Sequence, residues 1–242
     1  MVEIFSVAKF ARAMSIDEFI ISPSIYPLSE KNRDLTQDEI DEIIERMNIP
    51  VDRPIILQIS RFDRFKDPLG VIKAYRMVRK YNDCVLAGSQ ATDDPEGEKV
   101  LKEVKEFAAD DPDVYIFSLP SYSDKDINAL QRMAYVVLQK SLKEGFGLTV
   151  TEAMWKGKPV IGGAAGGIPL QIVHGVTGFL VHSIEGTAFR IRQLLNSPEM
   201  AKTMGEKARE YARKNFLITR QVRDYLSVWY AMGKKGKGII EL

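Results

Sequence analysis

An α/β fold on a parallel sheet is predicted by three features of the chain. Strand-length apolar runs and helix-length amphipathic runs alternate four times before Gly145, the order that gives a parallel sheet with helices on both faces. The runs are almost wholly apolar, as in Pro54-Ile55-Ile56-Leu57-Gln58-Ile59-Ser60 and Tyr135-Val136-Val137-Leu138-Gln139, which suits strands covered on both sides. Glycine turns join strands to helices, above all at Gly145-Phe146-Gly147. The expected architecture is a doubly wound parallel sheet of Rossmann-like type, with helices at its C-terminal end.

Composition sets the limits. With 242 residues, 45% hydrophobic and 28% charged, there is material for one globular unit or one and a half domains. A formal net charge of +1 without a long basic run gives no support to nucleic-acid binding. The sole cysteine, Cys84, excludes a disulfide framework or cysteine metal cluster within the chain. His174 and His182, both beside predicted turns, make a poor metal site and are expected to face solvent. Neither a signal peptide nor a membrane span is expected, and a cytoplasmic setting follows.

Taken in order, residues 1–21 are mildly apolar without a clear period, and Ile20 to Pro27 reads as an extended, proline-punctuated linker. Thr36-Gln37-Asp38-Glu39 is a capping box for a helix with Ile40, Ile43, Ile44 and Met47 on one face. The strand Pro54–Ser60 leads into Arg61-Phe62-Asp63-Arg64-Phe65-Lys66, after which Asp67 and Pro68 form the N-cap and first residue of a helix. Asp83–Gly88 is the next strand, Ala91–Gly97 a loop, and Val100, Leu101, Val104, Phe107 and Ala108 a helix face. Val114–Phe117 is a strand, and Ser123 caps a helix carrying Ile127, Leu130 and Ala134. Beyond the central turn, Gly157 stops a helix, Pro159–Gly162 is a strand, and the glycine-rich 162–167 loop could hug a ligand or a facing backbone. A turn at His174–Gly178 enters a last strand at Phe179, and amphipathic helices follow, ending in Val222, Tyr225, Leu226 and Trp229. The organisation expected is a leader and linker over 1–30, a nucleotide-binding unit over 31–198, and C-terminal helices with a mobile basic tail over 199–242.

The chemistry converges on Glu144-Gly145-Phe146-Gly147-Leu148-Thr149-Val150-Thr151-Glu152. Gly145 and Gly147 allow close backbone approach, and the helix that starts at Leu148 presents unpaired amides at its positive end. That place suits phosphate. Two glutamates beside it would accept hydrogen bonds from hydroxyls, so the ligand expected has phosphates in its middle and sugars at its ends. A sugar nucleotide is such a molecule. Arg61 and Lys66, on a loop at the carboxyl end of a parallel strand, are placed to meet anionic oxygens; Arg64 reads as a solvated loop cation.

The stretch from Glu144 to Val160 resembles the two-glutamate signature of the retaining glycosyltransferases of family 4, and the likeness covers roughly residues 22–232. Within that family it is similar to members that transfer glucose from a nucleoside diphosphate to free glucose, making trehalose. The resemblance implies a GT-B fold of two facing Rossmann-like domains, of which this chain carries the C-terminal, donor-binding one. It implies that Arg61 and Lys66 bind the donor diphosphate of UDP-glucose or ADP-glucose, that Glu152 accepts from the ribose, and that Glu144, with amides at Phe146 and Gly147, holds the glucose. Catalytic roles fall to Glu144, Arg61 and Lys66, and donor contacts also to Gly145, Leu148, Thr149, Gly88 and Ser89. No cofactor is implied, and the fixed cations make magnesium unnecessary. The chain departs from the family at three places: Tyr26 stands for an aspartate, Leu170 for a glutamate, and the strand at Asp83 has two apolar residues fewer.

Three classes stay open. The chain is part of an active glycosyltransferase completed by an acceptor-domain chain or a second copy, with Trp229 and Tyr230 facing that partner. Or it is a non-catalytic sugar-nucleotide-binding domain or inactive truncated product. Or it is an unrelated phosphate-binding α/β protein, against which the two-glutamate turn and the lack of a Gly-x4-Gly-Lys-[Ser/Thr] loop count.

Overall fold

The computed structural model describes residues 2–11, 16–79, 82–88, 95–109, 111–120 and 122–233. Its centre is a six-stranded, all-parallel sheet of β3 (Ile55–Ile59), β4 (Asp83–Gly88), β5 (Val114–Ser118), β6 (Val136–Gln139), β7 (Val160–Gly163) and β8 (Gly178–Val181), in spatial order β5-β4-β3-β6-β7-β8. The chain winds outward from β3 one way and from β6 the other, so the order reverses between these two neighbours, which pair as Ile56 with Val136, Leu57 with Val137 and Gln58 with Leu138. Ligands of open α/β sheets bind at such a reversal, beyond the carboxyl ends of the strands.

Apolar runs in β3 and β6 arise because both sheet faces are covered. On one face Ile56, Leu86, Val136, Leu138 and Ile161 pack with α2 (Pro68–Arg76), α3 (Pro95–Ala108) and α7 (Ile184–Leu195). On the other, Ile55, Leu57, Ile59, Val85 and Val137 pack with α1 (Gln37–Arg46), α4 (Asp124–Met133), α5 (Leu148–Trp155) and the short α6 (Ile168–Gln171). The long α8 (Pro198–Asn215) contributes Ala201 and Met204 to the first core and Ala208 and Ala212 to the second. The doubly wound expectation holds.

Most local signals act as expected. Thr36 and Glu39 form both halves of the capping box of α1. Asp67 caps α2 by accepting from the Gly70 amide, with Pro68 in the first turn. Three boundaries differ. The helix α3 starts at Pro95, so Glu96 and Gly97 are helical and not loop, proline being well suited to a first turn whose amide has no acceptor. Ser123 precedes α4 without a capping bond, because its φ and ψ of −86° and 28° lie outside the extended region a capping residue normally adopts. Met47 stands after α1 as its C-cap. Ser89, residues 91–94, Ser121 and the basic tail from Lys234 lie outside the described residues.

Residues 2–20, which show no period in the sequence, carry two short parallel strands, β1 (Val2–Phe5) and β2 (Asp17–Ile20). The proline-punctuated segment that follows is tied to the corner between α8 and α9 (Ile218–Gly233). The Ile25 amide donates to the Phe216 carbonyl at 2.9 Å, the Ile218 amide to the Ile25 carbonyl at 3.0 Å, and Arg220 Nη2 to the Ser22 carbonyl at 2.7 Å. Val222, Leu226, Trp229 and Tyr230 on α9 are exposed. No helix among the described residues is long and apolar enough to cross a membrane.

Candidate functional site

Two loops meet at the sheet's reversal: Ser60–Asp67 after β3 and Lys140–Gly147 after β6. They are cross-linked with opposite polarity. Lys66 of the first reaches Glu144 of the second, Nζ to Oε2 at 2.6 Å, while the buried Lys140 of the second pairs with Asp67 of the first. The Leu142 amide donates to the Phe65 carbonyl at 2.7 Å. One glutamine stands near the end of each strand: Gln58 Nε2 donates to the Lys66 carbonyl at 3.1 Å, and Gln139 Nε2 to Glu144 Oε2 at 3.1 Å. A polar residue near the carboxyl end of each of two otherwise apolar strands was the available signal for both, and sequence reasoning passed over it.

Glu144 is the hub. Its Oε2 accepts from Lys66, Gln139 and, at 3.0 Å, Ser141 Oγ, and its Oε1 from the Gly145 amide at 3.1 Å. Burial would raise its pKa, but the Lys66 bond and charge, with the Ser141 and Gln139 bonds, outweigh that and hold the carboxyl below its ordinary value. Sequence expectation set Lys66 against phosphate and Glu144 against sugar; in the structure the two face each other.

Glycine geometry separates turn from ligand approach. Gly147 has φ +85°, which L side chains rarely adopt, and it caps α5. A Cβ on Gly145 would meet nothing within 4 Å, so that stretch of backbone is open. The 162–167 loop hugs a facing backbone: Cβ atoms on Gly163 and Gly166 would lie 2.4 Å from the Ser141 carbonyl oxygen and 1.8 Å from that of Glu144. Gly88 has the same kind of reason, its Cβ position falling 1.6 Å from the Ser60 carbonyl oxygen. The site glycine at 88 is therefore required for the passage of β4 beside the first loop. Phe146 turns its ring away into a small cluster with Val7 and Phe216, leaving its backbone to the loop. Leu148 and Thr149 supply first-turn amides without intrahelical acceptors.

The remaining candidates stand apart from that hub. Arg61 is exposed, with one loose contact to Asp63 at 3.4 Å. Arg64 turns to Glu103 of α3 at 2.8 Å. Glu152, on α5, is buried; burial raises its pKa against the pull of Lys31 and Lys156, while Lys156 is itself lowered to about 7 by burial. Lys156 donates to Asn32 Oδ1 at 3.1 Å, tying α5 to the segment before α1. Both histidines are exposed, and the ring of His174 accepts from the Leu180 amide at 3.1 Å. Among the described residues no three or more His, Cys, Asp or Glu gather to hold a metal ion.

The arrangement is one of binding groups: a cation and an ionised carboxylate joined across the reversal, amides at a helix start, and an exposed arginine. Comparison with known proteins gives the family and the fold. The family model for glycosyl transferases group 1 matches residues 39–211. The chain is 48% identical over 222 residues to a trehalose synthase from Pyrococcus horikoshii, covering 88% of this chain and 52% of that one, and 45% identical over 214 residues to a trehalose synthase from Rubrobacter xylanophilus, covering 87% and 51%. The chain thus spans about half the length of the curated relatives it matches. Its fold is that of the GT-B glycosyltransferases: the Anabaena protein HepE, solved in complex with UDP and glucose, superposes with a TM-score of 0.75 at 20% identity, over 90% of this chain and 57% of that one. On the family model and on these relatives, the chain belongs to the glycosyl transferases of group 1.

Proposed function

We propose that this chain is the nucleotide-sugar donor-binding part of a retaining glycosyltransferase that moves glucose from UDP-glucose or ADP-glucose to glucose, forming trehalose. The observation that carries the reading is the Lys66–Glu144 pair across the sheet's reversal, at 2.6 Å, beside the amides of Leu148 and Thr149. A diphosphate entering beside Lys66 draws the ammonium toward its own charge, and Glu144 is then released to accept from glucose hydroxyls. Arg61, Lys66 and the amides stabilise charge on the departing diphosphate as the bond from glucose C1 to it breaks. Glu152 takes the ribose hydroxyls. A nucleophilic role for Glu144 fits less well, since Gln139, Ser141 and the Gly145 amide still donate to its carboxylate when Lys66 turns to the diphosphate.

The UDP held by the HepE complex and the names of the trehalose synthases support this donor and product. We assign the acceptor subsite to polypeptide outside this sheet. The exposed apolar residues Val222, Leu226 and Trp229 of α9 support that assignment. So does the two-stranded parallel sheet β1–β2, because parallel strands are otherwise found in larger sheets covered on both faces. A non-catalytic donor-binding domain is the second reading, favoured by the engagement of Glu144 as an acceptor for Lys66, Gln139 and Ser141.

Calorimetric titration with UDP, ADP and their glucose conjugates, with trehalose formation assayed on the same sample plus glucose, tests the proposal. Donor binding with turnover supports the enzyme, donor binding alone the second reading, and no binding to any of the four ligands overturns both. Arg61→Ala is expected to weaken UDP about tenfold, the loss of one charge-assisted contact, and to leave uridine unchanged. An equal loss for both ligands removes Arg61 from the diphosphate.

A further inference from the structure

The donor loop, residues 144–147, is held from behind by parts of the chain that lie far from it in sequence. The Gly167 amide donates to the Gly145 carbonyl at 2.8 Å, and Gln171 Nε2 to the Phe146 carbonyl at 2.6 Å, with Gln171 itself fixed by Thr151 Oγ1 at 2.6 Å. These contacts come from the sheet's own layers. The other support is the Phe146 ring, 7% exposed, which joins Val7 at 4% and Phe216 at 4% in a cluster separate from both cores of the sheet. Phe146 and Phe216 meet edge to face with centroids 5.9 Å apart, and Phe216 meets Tyr211 in the same way at 5.9 Å.

Val7 follows β1, and Phe216 forms the corner between α8 and α9. Both belong to one connected body. The Ile21 amide donates to the Phe5 carbonyl at 2.9 Å, the Ile25 amide to the Phe216 carbonyl at 2.9 Å, and Ser24 Oγ to Gln221 Oε1 at 2.5 Å. The β1–β2 sheet, the linker and the start of α9 therefore share a contact with the donor loop, made through the Phe146 ring. Interlocked side chains transmit displacement because packed interiors leave no slack.

We propose that Val7 and Phe216 are positioning residues for the donor loop, so that the placement of the β1–β2 sheet and of α9 sets the geometry of the backbone at Glu144–Gly147. The functional consequence rests on the donor-site reading above; the mechanical coupling does not.

Amide exchange on the whole chain tests the coupling. In Val7→Ala and in Phe216→Leu, exchange across residues 144–149 is expected to accelerate about fivefold or more, while residues 136–139 of β6 keep their wild-type rate and Val7→Ile restores protection at 144–149. Affinity for UDP-glucose falls about threefold to tenfold, a change of roughly 1 kcal/mol, and affinity for uridine is unchanged. Unaltered exchange at 144–149 in both variants overturns the coupling. If the wild type binds no sugar nucleotide, the donor reading fails, and the exchange result still decides whether Val7 and Phe216 position the loop.

Discussion

Glu144 and Glu152 stand at the loop end and the helix end of one nine-residue motif, and their environments pull them in opposite directions. Both are nearly out of solvent: the Glu144 side chain is 9% exposed, and Glu152 as a residue 8%. Glu144 is nonetheless held ionised below its ordinary pKa, because Lys66 lies 2.6 Å away and Ser141 and Gln139 donate to it. Glu152 is raised by burial, and the charges of Lys31 and Lys156 oppose that without reversing it. Burial alone does not set a carboxylate's state; a cation in direct contact decides it. The loop carboxylate is thereby a ready charged acceptor, and the helix carboxylate one that gains from any donor a ligand brings.

Removing the deciding contact gives the largest effect. Lys66→Met leaves Glu144 buried without its counter-ion, a change of about 3–5 kcal/mol against folding. The pH dependence should change sign. In the wild type the depressed pKa of Glu144 contributes stability above its unfolded value, and this is lost as pH falls through the lower folded value. In Lys66→Met the folded pKa should rise above the ordinary range, so the variant becomes relatively more stable as pH falls. Urea unfolding between pH 3 and 8 reads both, and Lys66→Met combined with Glu144→Gln should regain most of the loss. A single variant as stable as wild type at pH 7 would show that the pair is not what holds Glu144.

Next in size is a pair of glycines in the same loop environment. Gly166→Ala places a Cβ 1.8 Å from the Glu144 carbonyl oxygen at φ +54°, and the backbone shift it forces should cost about 1–3 kcal/mol. Gly145→Ala meets no atom within 4 Å and should change stability by less than ~0.5 kcal/mol. If Gly145→Ala still weakens UDP-glucose binding, the methyl is excluding ligand and not distorting the protein. Unchanged binding places the ligand elsewhere.

These contrasts also mark how far the sequence can be read. The alternation of apolar and amphipathic runs carries the parallel sheet and its burial on both faces, since period and burial follow from local composition, whereas the strand order that reverses between β3 and β6 is set by tertiary pairing. The capping of α1 and α2 was legible for the same reason: each motif lies within four residues. Contacts between the two loops were not. Nothing near Lys66 in the chain indicates Glu144, 78 residues away, and Lys140 carries no local sign of Asp67. The ring of Phe146 reads as part of the glycine turn, whereas its surroundings come from residues 7 and 216. Gly88 reads equally well as a ligand neighbour or a packing requirement until Ser60 is found against it.

The smallest effect sharpens the helix end. Glu152→Gln removes a charge whose folded pKa is raised, so the wild-type carboxylate supports folding below its unfolded value near ~4.3 and loses that contribution as pH climbs through the folded value. Lys156, lowered to about 7, fixes where the comparison is clean. Above that pH Lys156 is neutral in both proteins, and Glu152→Gln should be the more stable by up to ~1 kcal/mol. Below it Lys156 takes a proton that the Glu152 charge favours and a glutamine does not, so the advantage narrows. Thermal melts at pH 8 and pH 6 measure the two regimes. Against that gain, UDP and UDP-glucose should both bind about tenfold more weakly, as expected for a charged ribose acceptor replaced by a neutral one. A variant that is stabilised and yet binds UDP as before would detach Glu152 from the ribose and leave it as a buried carboxylate whose only measurable consequence is the protonation of Lys156.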